Sequence, residues 1–163
     1  MTDFSLDLSG AGKWSKGILG DDGYINCIPY NSNKVLKINP TNNSATLVDF
    51  GLTLTDTCKW SDAVKASNGM IYALPYSATD ILKINVSAGT ATRIGSLTGN
   101  YKWNYCFESN AYMYGLGLAS DDYLRVNLAT DAIERLTSVS ELNTTLPWYV
   151  ESGETVKPLC LLK

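Results

Sequence analysis

KWSDAVKASNGMIYALPYSATDILKIN, residues 59–85, stands 46 residues after KWSKGILGDDGYINCIPYNSNKVLKIN, residues 13–39. Both open on Lys-Trp-Ser, turn at Asp-Asp-Gly or Ser-Asn-Gly, pass through Pro-Tyr and close on Leu-Lys-Ile-Asn. A self-similar period decides an architecture before any single motif does. The four tryptophans mark it: Trp14, Trp60, Trp103 and Trp148, spaced 46, 43 and 45 residues apart.

Each period divides into four short runs. The first is SKGIL, SDAVKA or NYCFE, followed by a turn at Asp21-Asp22-Gly23, Ser67-Asn68-Gly69 or Ser109-Asn110-Ala111. Asn-Gly and Asp-Gly between alternating runs signal a hairpin, because these residues accept positive φ. The second run is YINCIPY, MIYALPY or YMYGLGL, and a polar tip follows. The third is KVLKIN, DILKIN or DYLRVN, ending on Asn39, Asn85 or Asn127; the fourth is SATLVDFG, TATRIGSL or AIERLTSV. No helical periodicity runs at length. Four strands per period of about 45 residues is the pattern of one propeller blade. The reading is all-β: a β-propeller of four-stranded antiparallel blades.

DLSGAGKW, residues 7–14, aligns without a gap on SLTGNYKW, residues 96–103, so residues 1–12 read as a leading outer strand. Blades follow at 13–58, 59–101 and 102–146. Residues 147–163, with a Trp, a short run, a Gly turn and a second run, read as the first two strands of a fourth blade shared between the chain ends. Closure within one chain predicts a four-bladed monomer. Head-to-tail closure across two copies, through hybrid blades, predicts a larger, eight-bladed ring.

The W…G-x-I-Y…P-Y…V-L-x-I-N pattern resembles β-propeller repeats of the broad kelch-like kind over nearly the whole chain. It departs from kelch proper in lacking the Gly-Gly doublet, and from WD40 blades in lacking Trp-Asp. The resemblance implies the fold and transfers no functional residue.

Composition narrows the function. With a net charge of -3 and the basic residues scattered, there is no footprint for nucleic acid or an anionic membrane. No run approaches 18 apolar residues, and MTDFSLDLSG has neither the basic nor the apolar region of a signal peptide. Cys27, Cys58, Cys106 and Cys160 are widely spaced and read as buried free thiols in strands. The sequence has no histidine, which removes Ser-His-Asp and Cys-His catalysis and His-based zinc sites. No cofactor or metal is expected.

Asp21-Asp22 and Asp121-Asp122 are the candidate acids for a carboxylate-dependent hydrolase, weighed against solvated turn formers. SGAGKWS, residues 9–15, and GLGLAS, residues 115–120, lack the spacing of phosphate loops and read as turns. The aromatic residues are the richer feature. Trp14, Trp60 and Trp103 read chiefly as filler between blades and secondarily as ligand platforms. Tyr30 and Tyr76, next to the prolines at the second strand's end, read equally as exposed binding residues. Lys13, Lys59 and Lys102 read as a solvated rim, unable to stack on their neighbouring Trp because strand neighbours face opposite sides. A non-catalytic module presenting loops and inter-blade clefts to a protein or glycan fits best, with repeated sites, one per cleft, in the glycan case. The alternatives are a component of a larger assembly such as a virion, and the hydrolase. Function is expected where the copies disagree, as in SKG, SDA and NYC.

Overall fold

A computed structural model describes residue 6, residues 9–117 and residues 122–137. Its described part is all-β: twelve strands in three antiparallel four-stranded sheets, each wound in sequence order. The first sheet holds β1 (Trp14–Leu19), β2 (Ile25–Pro29), β3 (Val35–Asn39) and β4 (Ser44–Val48). The second holds β5 (Trp60–Lys65), β6 (Ile71–Pro75), β7 (Ile81–Asn85) and β8 (Thr90–Ile94). The third holds β9 (Tyr105–Ser109), β10 (Tyr112–Leu116), β11 (Tyr123–Asn127) and β12 (Ile133–Leu136). Each of the twelve runs expected of the three complete blades coincides, over its described residues, with a strand. Gly115 and Leu116, expected in a turn, instead complete β10. The expected leading strand falls largely, and the partial fourth blade and Trp148 wholly, outside the described residues.

The sheets stack face to face like blades, with the first strands β1, β5 and β9 adjacent. Period-2 alternation supplies both faces of the middle sheet. Ile71, Ala73, Leu82 and Ile84 pack with Trp60 against Ile28 and Val35 of the first sheet. Tyr72, Leu74 and Ile81 point the other way and pack with Trp103 against Met113, Leu124 and Val126 of the third. Trp60 and Trp103 are fully buried, one in each gap, and Trp14 is half-buried on the first sheet. Each indole Nε1–H donates to a main-chain carbonyl at the start of its own third strand: Trp14 to Lys34 and Trp60 to Asp80 at 2.9 Å, Trp103 to Asp122 at 3.3 Å. The tryptophan is thus filler and also a tie within its blade.

The repeated asparagines are explained by the turn after β3, β7 and β11. The side-chain oxygens of Asn39, Asn85 and Asn127 accept from the amides of Thr41, Ala88 and Ala129, as Asx turns do. The residues completing those turns, Asn43, Gly89 and Asp131, all have positive φ, and all are types that tolerate it.

The lysines require a correction. Lys59 and Lys102 are buried, with only 1% and 4% exposed. The Lys59 ammonium donates to the Asp56 carbonyl, and the Lys102 ammonium to the Ala78 and Gly99 carbonyls. The Nζ atoms of Lys13 and Lys102 lie 5.7 and 6.0 Å from the rings of Trp14 and Trp103. Strand alternation does not apply to them, since β1 and β5 begin at the Trp and β9 begins beyond it. The cysteine reading is also modified: Cys27 and Cys106 are free thiols in strands, whereas Cys58 sits in the loop before β5.

Candidate functional site

The Lys-Trp and Pro-Tyr motifs are joined by main-chain hydrogen bonds that run from blade to blade. The Tyr30 amide donates to Lys13, the Lys59 amide to Tyr30, the Tyr76 amide to Lys59 and the Lys102 amide to Tyr76, at 2.8–3.1 Å. This string draws the end of each second strand against the entry to the next blade's first strand. The residue before each lysine takes the left-handed conformation: Gly12 (φ 59°), Cys58 (52°) and Tyr101 (54°). Glycine does so without strain, while a bulky tyrosine is held there at a cost of about 1–2 kcal/mol.

The consequence is a row of tyrosines on one end of the sheets. Tyr30 and Tyr76 lie 5.9 Å apart between ring centroids, and Tyr101 meets Tyr76 edge-on at 5.0 Å. Tyr101 is 62% and Tyr105 is 51% exposed, which makes them two of the three large exposed apolar side chains among the described residues. Tyr30, Ser61, Tyr76, Asn104 and Tyr105 line an open cleft of about 270 Å³. Ser61 Oγ donates to the Trp103 carbonyl at 2.7 Å, which leaves its oxygen as an acceptor. Burial first, then a hydrogen bond with the Cys58 side chain and the nearby Tyr76 and Tyr101, push the Tyr30 phenol up to about 12. At neutral pH it is therefore a protonated phenol.

The cleft forms where the copies disagree. Two residues after each Trp stand Lys16, Asp62 and Tyr105. Lys16 and Asp62 close on one another as an ion pair at 2.6 Å, and the other Asp62 oxygen accepts from the Cys106 amide at 2.9 Å. Asp62 therefore ties three first strands together. Tyr105 has no such partner and projects beside Tyr76. At the equivalent position of the first two blades stands the Lys16–Asp62 ion pair, where the third blade has an exposed tyrosine.

The sequence singled out Tyr30 and Tyr76, and the structure brings them together. It missed Tyr101 and Tyr105. Their signal was present in the alignment: Tyr101 replaces a glycine before Lys-Trp, and Tyr105 lies in the variable NYC triplet. Trp60 and Trp103, being fully buried, present no face to a ligand.

The acids do not converge. Asp22 pairs with Lys37 at 2.6 Å and caps its turn by accepting from the Tyr24 amide. Asp21 pairs with Lys65 across the first two blades. Asp122 pairs with Arg135, whose guanidinium lies 5.4 Å from the Trp103 ring centroid, as Arg93, paired with Asp80, lies 6.0 Å from that of Trp60. The turn joining first to second strands carries Asp22, and that joining second to third carries Asp122, so they sit at opposite ends of their sheets. Asp121 lies outside the described residues. The Cys106 thiol is pushed well up by burial and then by Asp62, so it is held as a neutral thiol. No cluster of metal-ligating side chains occurs among the described residues, and no helix there is long and apolar enough to cross a membrane.

No protein-family model matches the chain, and no curated protein matches it. Its fold is nevertheless similar to those of solved β-propellers. A catalytically inactive virginiamycin B lyase from Staphylococcus aureus with quinupristin superimposes with a TM-score of 0.63 at 14% identity, over 82% of this chain and 44% of that one. A streptogramin B lyase gives 0.59 at 16% identity, over 79% and 43%. The extracellular domain of BT4673 from B. thetaiotaomicron gives 0.61 at 13% identity, over 74% and 16%. The chain spans less than half the length of each. At these identities the likeness establishes the propeller fold alone.

Proposed function

We propose that the chain is a non-catalytic binding module that engages a glycan or protein partner through the tyrosine-lined end of its blades. The observation that carries this reading is the group Tyr30, Tyr76, Tyr101 and Tyr105: four rings on one surface, two of them largely exposed and one in a left-handed conformation that only its surroundings maintain. Strained and exposed side chains concentrate where a protein meets a ligand. Tyrosine with serine and asparagine is also the composition of adaptable recognition surfaces, since it gives large contact area at low entropic cost. The acids, by contrast, are engaged in ion pairs within their own blades. Glycan and peptide arrays probed with the protein and with Tyr101→Ala and Tyr105→Ala test this. The expected result is a ligand class retained by the parent and lost by both variants at unchanged melting temperature. Retention indifferent to both substitutions, or turnover of a bound ligand, contradicts it.

A further inference from the structure

We propose that the cleft lined by Tyr30, Ser61, Tyr76, Asn104 and Tyr105 is a subsite for a single neutral sugar ring, one face of the ring lying on tyrosine and its hydroxyls meeting Ser61 and Asn104. This rests on the binding-module reading and names its ligand.

Three features select the ligand. The first is size. At about 270 Å³ the cleft lies just below the roughly 300–1,000 Å³ of pockets that enclose drug-sized molecules, and matches one ring better than an extended chain. The second is amphipathy. A pyranose has an apolar C–H face and an equatorial belt of hydroxyls, so it requires an aromatic wall and neutral donors and acceptors together. Tyr76 and Tyr105 supply the wall. Asn104 offers a donor and an acceptor, and Ser61, whose proton is committed to the Trp103 carbonyl, offers an acceptor.

The third is charge. The lining contains no Asp, Glu, Lys or Arg, and the cations near the cleft are committed elsewhere. The Lys59 and Lys102 ammonium groups are buried on main-chain carbonyls, and Lys16 is paired with Asp62. A uronate or phosphate would enter without a counter-charge in the lining, so a neutral ring is favoured. The wall is also rigid. Tyr76 is wedged between Tyr30 and Tyr101, and the Tyr101 main chain is fixed by the bond from the Lys102 amide to the Tyr76 carbonyl at 3.1 Å. Tyr101 does not line the cleft. It is a positioning residue for Tyr76, and its exposed edge extends the surface beyond a single ring.

The test is saturation-transfer NMR on the full chain with methyl glycosides of neutral hexoses and N-acetylhexosamines, alongside the corresponding uronates. At least one neutral glycoside is expected to bind, at around millimolar strength for one ring, and its uronate at least tenfold more weakly. Tyr105→Ala is expected to weaken the neutral ligand at least tenfold with melting temperature unchanged, and Tyr105→Phe to keep most of the binding. The proposal is overturned if no neutral glycoside receives saturation, if the uronates bind equally, or if Tyr105→Ala binds as the parent does. A peptide ligand that depends on Tyr105 in the absence of any sugar binding overturns the sugar assignment and leaves the binding module standing. Absence of any tyrosine-dependent ligand overturns both.

Discussion

Asp62→Ala should destabilise the protein, because its carboxylate joins three blades. One oxygen receives the Lys16 ammonium of β1 at 2.6 Å, and the other the Cys106 amide of β9 at 2.9 Å. The Lys16 side chain is 41% exposed, so its half of the arrangement is screened and contributes about 0–1 kcal/mol. The amide half is different. Asp62 is only 9% exposed, and removing the carboxylate leaves the Cys106 N–H without its acceptor, a loss of about 1–3 kcal/mol. The total expected is about 1–4 kcal/mol. Asp62→Asn keeps an oxygen for the amide and loses only the charge, so its cost should be nearer 1 kcal/mol. Urea denaturation of the two variants and of Lys16→Met measures each share. A cycle of Asp62→Ala with Lys16→Met should show coupling no larger than about 1 kcal/mol. Asp62→Ala within 0.5 kcal/mol of the parent, or Asp62→Asn as costly as Asp62→Ala, refutes the assignment of the amide bond as the dominant tie.

Ala111 stands at φ 62° beside Asn110 at φ 51°, in a hairpin turn where the other copies place Gly23 and Gly69. Ala111→Gly should therefore raise stability by about 1 kcal/mol, read as the denaturation midpoint, and an unchanged or lower midpoint contradicts the strain. Burial lowers the pKa values of Lys59 and Lys102, with Arg93 adding to the first against Asp56, and Arg135 to the second against Asp80. The unfolded chain then holds more protons than the folded one between those depressed values and 10.5, so these lysines make stability rise with pH across that window. Lys59→Met should rise less steeply over the same window than the parent does; parallel curves contradict the burial of a charged ammonium.

The fold was legible because the repeat is written at the level of turns and strand ends. Gly23 and Gly69 marked hairpins, and Asn39, Asn85 and Asn127 marked the same Asx turn three times. All twelve described strands follow from those signs. The lysines were misread because parity along a strand was applied to residues that precede the strand, where the chain turns inward and carbonyls await the ammonium. Half of the site was visible as Pro-Tyr. The other half was hidden, since the exposure of Tyr105 depends on what Lys16 and Asp62 do in neighbouring blades, which no single copy records. Tyr101 likewise acquires its place from the bond that the next residue's amide, that of Lys102, donates to the Tyr76 carbonyl across neighbouring blades.

The central claim is that the tyrosine end of the blades is the binding face. NMR on protein carrying isotope-labelled tyrosine rings, titrated with the neutral glycan best retained on the array, tests it most directly. The account predicts shifts at Tyr76 and Tyr105, a smaller shift at Tyr101, and none at Tyr72 and Tyr114, which are buried between or beneath the sheets. Shifts confined to other tyrosines, with Tyr76 and Tyr105 unmoved while the glycan binds, would contradict it.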